Sequence, residues 1–366
     1  MKLLAVSDYS DIQSARPEAA WMIGLHRAGI DVEVITFPNS ELSQNFSAAG
    51  ITVIEKHPSK KWDHSFTKWL NLKLSNEHTD FLILFNSIAI TNGIRAAKGT
   101  TTKVILYRGY AGHVHWYDPT AYFKYLHPRV HRVVCVSEAV RSDLVSNSFI
   151  PPSRAVTIHK GHDPSWYESV RPHDLSEFNI PANSIVLVCL ANVRKFKGLH
   201  YLLKSLSLLT DLSNLHVLLI GRGMDSGEML KWREKTGMAQ RIHATGFRQD
   251  VLSLMVACDL FVLPSIFGEG LSKAALEAMN LGLPVITTSI PANKELMPVS
   301  TPNDLLVPPR DSVSLANAIR NLVTNQERRR QWGKVLRSHV QHRFHIERTI
   351  KETLDLLESE ALLNRK

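Results

Sequence analysis

Residues 264–288 read PSIFGEGLSKAALEAMNLGLPVITT. The apolar run before them, Leu260 to Leu263, has the character of a strand. Gly268, Glu269 and Gly270 then make a loop. Ser272 is placed to cap a helix from Lys273 to Asn280, because its hydroxyl can accept from a free amide of the first turn. Gly282 stops that helix and Pro284 opens the next strand, the usual order of a C-terminal stop signal followed by a new element. Strand, loop, helix and strand make a βαβ unit, and such units build parallel sheets.

The same rhythm runs outward in both directions. Toward the N-terminus, strand-like runs occur at 2–7, 31–37, 51–55, 81–85, 103–107 and 132–137, with an amphipathic helix over Pro17 to Ala28 ended by Gly29. The series restarts after Pro151-Pro152 and the polar stretch Gly161 to Asn179. Strands follow at 184–190, 216–220, 260–263 and 284–288, with helices at 202–209, 227–235, 314–323 and from Gln326 onward. Ile346, Ile350, Leu354, Leu357 and Leu362 recur at helical spacing and predict a closing helix. The expected organisation is α/β: a Rossmann-like domain at 1–165, a second at 166–345, and a terminal helix at 346–366 that packs back on the first domain. Two such halves imply an interdomain cleft, a preferred place for a ligand.

Composition agrees with that plan. The 366 residues are 44% hydrophobic and 21% charged, which supports a large core and excludes intrinsic disorder. No apolar run approaches the roughly 18 residues of a membrane span. Met1-Lys2 leads straight into a strand-like run, so no secretory leader is expected. Cys135, Cys189 and Cys258 each sit alone in an apolar run and read as buried thiols of a reduced, cytoplasmic protein. The formal charge of +9 suits an acidic ligand or an anionic surface. No nucleic-acid motif accompanies it, and nucleic acid is not an expected partner.

The loop and helix of 264–288 have a chemistry of their own. A glycine-rich loop entering a helix offers free amides and the positive end of the helix dipole to an anion such as a diphosphate. Gly270, Leu271 and Ser272 would supply the amides. Glu277 lies five residues past the cap, roughly 7 Å along the axis at about 1.5 Å per residue. A ribose linked to a diphosphate at the helix start would fall at that distance. Glu269 stands before the helix, on the side of the distal phosphate.

Two glutamates eight residues apart, followed by EAMNLGLPVI, resemble the signature of the retaining, family 4 glycosyltransferases of the GT-B fold. Leu190 to Gly198, Thr245 to Asp250 and Val307 to Ile319 resemble further segments of that family. The resemblance implies a GT-B architecture, a nucleotide diphosphate-sugar donor and a glycan or lipid-linked acceptor. It assigns Arg194 and Lys197 to the diphosphate, Phe247 and Arg248 to the loop beside the base, and Gly270, Leu271, Ser272 and Glu277 to the donor. It assigns Glu269 to the transferred sugar. A histidine near the anomeric centre is implied within RGYAGHVHWYDP (108–119), where His113 and His115 both qualify and His113 is favoured. Neither a metal nor an organic cofactor is implied. In the first half the match is looser: the loop at 8–18 lacks the glycine pair that many members carry there, and Arg16 is a substitute source of charge.

Competing readings fail on particular residues or remain as tests. A Rossmann dehydrogenase requires G-x-G-x-x-G after its first strand, and SDYSDIQSARPE lacks it. A metal site at His113-x-His115 has no completing ligands nearby. A GT-B epimerase would act on the same donor without an acceptor. A basic protein that binds polyanions would be indifferent to loss of Glu269 and Glu277. Residues 55–74 interleave Lys60, Lys61, Lys68 and Lys73 with Trp62, Phe66, Trp69 and Leu70, a pattern expected to lie on an anionic membrane or else to pack on the sheet.

Overall fold

The computed structural model describes residues 1–363. Seven strands form the first sheet: β1 (Lys2–Val6), β2 (Asp31–Thr36), β3 (Thr52–Glu55), β4 (Phe81–Leu84), β5 (Lys103–Arg108), β6 (Val130–Cys135) and β7 (Ala155–Thr157). They pair in parallel in the order β3-β2-β1-β4-β5-β6-β7. Six strands form the second: β8 (Ile185–Leu190), β9 (Leu215–Ile220), β10 (Ile242–Thr245), β11 (Leu260–Leu263), β12 (Val285–Thr288) and β13 (Leu306–Val307). Their order is β10-β9-β8-β11-β12-β13, again parallel throughout. Every residue of β4, β5, β9, β11 and β12 is buried. That is why these strands read as continuous apolar runs rather than alternating ones.

The chain forms two compact units, one of Met1–His162 with the segment from Phe344 onward, the other of Asp163–Arg343. The closing helix, Ile346–Leu363, belongs to the first unit and lies against the helix Ile12–Arg27. Trp21 Nε1 donates to Thr353 Oγ1 at 2.9 Å. Gly24 leaves the space that Ile350 fills, since a Cβ there would come within 2.1 Å of Ile350 Cδ1. Near the end of the helix the buried Glu360 carboxylate meets Lys103 Nζ at 3.3 Å and Arg132 at 2.5 Å. Apolar packing and a compensated buried charge therefore hold this helix to the first sheet.

The helix His64–Asn76 turns its apolar side inward. Phe66 and Leu70 are buried, and Lys73 is tied to Glu33 at 2.8 Å. Lys56 covers the half-buried Trp69 ring, 4.6 Å from its centroid. Of the two readings of this stretch, membrane face or packed face, the burial is that of a packed face, and Trp62, just before the helix, is exposed. All three cysteines are buried, and burial pushes the Cys135 and Cys189 thiols up to about 12. No helix among the described residues is long and apolar enough to cross a membrane.

One packing detail sets a pH dependence. His243 on β10 stacks on His216 of the neighbouring β9, ring centroids 5.4 Å apart and nearly coplanar, with Nε2 and Nδ1 3.1 Å from each other. Burial, and then the neighbouring His216 and Arg233, bring His243 from 6.5 down to about 4. The unfolded chain then binds this proton before the folded one. The contribution is intact above pH 6.5 and is lost as pH falls toward 4. In thermal melts across that window, His243→Gln should lose less stability than the parent; equal slopes would remove His243 as a source.

Candidate functional site

In the second unit the strand order reverses between β8 and β11. In open parallel sheets, ligands bind beyond the carboxyl ends of the strands at such a reversal. Two segments leave the sheet there. After β8 the chain makes a tight turn at Lys195–Lys197 and enters the helix Leu199–Leu206 through Gly198. After β11 it makes the loop 264–272 and enters the helix Lys273–Asn280. Gly198 joins the two closely: its φ is +66°, and a Cβ would stand 2.0 Å from the Pro264 carbonyl oxygen. Only glycine meets both conditions. Ile266 N also donates to Phe196 O at 2.8 Å.

This contact brings Lys197 to Glu269, Nζ to Oε1 at 2.6 Å. Glu269 is only 7% exposed, and a carboxylate so deeply placed needs partners. Ser265 Oγ donates to the same Oε1. The Ser265 backbone is in turn fixed by Thr288 Oγ1, which donates to its carbonyl, and Asn293 Nδ2 donates to Thr288 Oγ1 at 3.1 Å. Ser265, Thr288 and Asn293 are all buried. A polar chain thus runs from the end of β12 to the Glu269 carboxylate and stops at a cation.

Ser272 caps the following helix by accepting from Ala275 N at 3.5 Å. The first amides of a helix have no partner within it, so this start presents donors and a positive dipole end beside Glu269. Glu277 is 5% exposed and its Oε1 accepts from Lys273 Nζ one turn earlier. Leu271 is buried at the helix start. Arg194 precedes the Lys197 turn and is exposed. Lys197, Glu269, Gly270, Leu271, Ser272 and Glu277 therefore belong to two adjoining segments at one edge of one sheet.

The loop after β10 carries Phe247 and Arg248. Arg248 is bound by Asp250 at 2.7 Å and by Glu177 at 2.9 Å, and these carboxylates raise its pKa further. It braces this loop to Glu177. Phe247 is half exposed, and Arg222 places its guanidinium 5.0 Å from the ring centroid. Arg222, Ser265, Thr288 and Asn293 carry no sequence signal of their own, because their partners lie on distant segments.

His113 lies in the first unit. It lines a cavity of about 400 Å³ beyond the ends of β4 and β5, with φ at +63° after Gly112. His115 does not line that cavity and stacks on Tyr117, 5.0 Å between centroids. Among the described residues, no three His, Cys, Asp or Glu side chains gather as metal ligands would.

Comparison with known proteins gives the family and the fold. Residues 21–166 match the family model described as Glycosyltransferase Family 4, and residues 184–325 match Glycosyl transferases group 1. The chain belongs to this family of glycosyltransferases, and its two α/β units have the GT-B fold. A glycosyltransferase from Rickettsia africae superimposes with a TM-score of 0.81 over 98% of both chains at 17% identity. HepE of Anabaena, solved with UDP-glucose, gives 0.78 over 98% of this chain and 100% of its own, at 18% identity. In sequence, the O-antigen biosynthesis glycosyltransferase WclY of Escherichia coli is 28% identical over 149 residues, 40% of this chain and 41% of that protein. An Escherichia coli α-1,3-galactosyltransferase, named for UDP-Gal and a diphosphoundecaprenol-linked GlcNAc, is 24% identical over 62% of this chain and 59% of its own. The matched region thus spans about two fifths of WclY and less than two thirds of the galactosyltransferase.

If the polar chain orients Glu269, Ser265→Ala should destabilise the protein by about 1.5–3 kcal/mol, as expected for losing a bond to a charged group. Thr288→Val should cost about 1 kcal/mol. Urea denaturation measures both; two variants as stable as the parent would mean that the relay does not hold the loop.

Proposed function

We propose that the protein transfers a sugar from a nucleotide diphosphate-sugar to an acceptor hydroxyl, with retention at the anomeric carbon, in the building of a cell-surface or lipid-linked glycan. The observation that carries this reading is the pair of buried glutamates, Glu269 and Glu277, before and within one loop-and-helix element at the sheet reversal. In this reading Glu277 accepts from the ribose hydroxyls, and the helix start at 270–272 receives the diphosphate. Glu269 holds hydroxyls of the donor sugar. Lys197 and Arg194 face the charge that develops on the departing diphosphate, the kind of electrostatic stabilisation on which such a reaction rests. Phe247 flanks the base, and Arg248 keeps its loop in place. His113 serves near the anomeric carbon. Positive charge comes from the chain itself, and neither metal nor cofactor takes part.

The names of the relatives support a lipopolysaccharide or O-antigen setting and a lipid-linked acceptor. Such an acceptor would place the enzyme at the cytoplasmic face of a membrane. The apolar side of residues 55–74 is committed to the core, so the membrane contact is assigned to another part of the first unit. Trp116, Tyr117, Phe123 and Phe149 are each more than half exposed, and the rings of Trp116 and Phe149 lie 5.6 Å apart. Tryptophan and tyrosine favour the headgroup level of a bilayer, and the net charge of +9 favours an anionic one.

Two experiments test these assignments. In thermal shift with UDP, GDP, ADP and their sugar conjugates, one nucleotide should stabilise the parent, by about 2.7 kcal/mol at a hundred times its Kd. Glu277→Ala should abolish that shift, and a variant that binds as well as the parent would refute the ribose assignment. For the membrane, the parent should sediment with phosphatidylglycerol vesicles at low salt, and Trp116→Ser with Phe149→Ser should release it. Sedimentation unchanged in the double variant would contradict this surface.

A further inference from the structure

The cavity of the first unit holds a cation without a counter-ion. Arg108 ends β5 and is 1% exposed. Its Nη2 donates to the Gly112 carbonyl, the Tyr125 hydroxyl also bonds the guanidinium, and Nε has no partner. The guanidinium lies against two rings, 5.1 Å from the Tyr110 centroid and 4.8 Å from that of Tyr125. Among the described residues no carboxylate pairs with it. A buried guanidinium is ordinarily matched by an anion, and here neutral groups stand where a carboxylate would, the nearby Asp143 being bound to Gly112 N at 2.7 Å.

Other groups around the cavity point the same way. Lys124 lines it and donates from Nζ to Ser87 Oγ at 3.0 Å. Burial and the nearby Lys61 pull the Lys124 ammonium below the usual lysine range. The helix Ser87–Ala96 begins at the cavity wall, where Asn86 caps it, and its positive end adds to the field. One carboxylate lines the space, Asp118, and its two oxygens accept from Thr120 N at 2.8 Å and Thr120 Oγ1 at 2.9 Å. Tyr107, Tyr110, Tyr125 and Val114 supply the apolar wall, and about 400 Å³ is room for a sugar ring carrying an acidic group.

We infer that this cavity binds an acceptor bearing an oxyanion, the phosphate of a glycosyl phosphate or the carboxylate of an acidic sugar, through the Arg108 fork and Lys124. Arginine matches either group with two parallel hydrogen bonds. The inference rests on the glycosyltransferase reading for the word acceptor, but not for the site itself.

Calorimetric titration of the full chain at low salt tests it, with phenyl phosphate, methyl glucuronoside and neutral phenyl glucoside as probes. At least one of the two acidic probes should bind saturably and the neutral one should not, and which acidic probe binds distinguishes phosphate from carboxylate. Arg108→Gln and Lys124→Ala should each weaken binding on the order of ten-fold, the loss of one charge-assisted contact. Because Arg108 is buried, its variant can fail to fold; the half-buried Lys124 provides the independent test. The inference is overturned if neither acidic probe binds the parent, or if folded Lys124→Ala binds as tightly as the parent. Nucleotide binding measured on the same samples separates the outcomes. Nucleotide binding without acidic-probe binding removes only this site, and the converse removes only the donor reading.

Discussion

The Glu269 carboxylate is the point around which the second unit is organised. It is almost wholly buried, and a buried charge must be matched or it is lost. Lys197 matches it across the sheet reversal, and the hydroxyl of Ser265 completes its coordination. That meeting is possible because Gly198 lets the turn after β8 come against the loop after β11 without a side chain between them. The buried hydroxyl and amide of Thr288 and Asn293 then tie the loop to the next strand. An acidic group set this way is held in one orientation before any ligand arrives, which is what selective contact with a reacting sugar demands.

The two units use one architecture for different charges. In the second, cations and a helix start stand beside two fixed carboxylates, an arrangement able to take a diphosphate on one side and hydroxyls on the other. In the first, Arg108 at the end of β5 and Lys124 line one cavity, with Asp118 as the carboxylate among its lining residues. Both sites lie beyond the carboxyl ends of parallel strands, where loops can vary without disturbing a core buried on both faces.

Much of this was legible in the sequence because the signals are local. Runs such as Phe81 to Leu84 and His216 to Ile220 are continuous and apolar, and a parallel strand covered on both faces has no other appearance. The capping Ser272, the stop at Gly282 and the spacing of Glu269 and Glu277 are read within one short segment. Three strands escaped notice. Ala155–Thr157 and Leu306–Val307 are too short to show a period, and Ile242–Thr245 contains two polar residues, His243 and Thr245. The helix His64–Asn76 shows a different limit. Its amphipathic pattern specifies an apolar face but not whether lipid or protein covers it, and protein covers it, the helix Ser87–Ala96 among its neighbours. The partners of Glu269 and the isolation of Arg108 depend on contacts between distant segments, which no local pattern encodes. The ion pair of Arg248 with Glu177, 71 positions away, is equally beyond a local pattern.

The central claim is that Glu269 acts on the donor sugar rather than merely holding the loop. The most direct test is to follow nucleoside diphosphate release from the nucleotide-sugar that binds, by phosphorus NMR, for the parent and Glu269→Gln. The account predicts that the variant still binds the donor with a similar Kd while release falls on the order of a hundred-fold or more, the scale of losing an interaction made mainly in the transition state. Release at the parental rate by a variant that binds normally would contradict it.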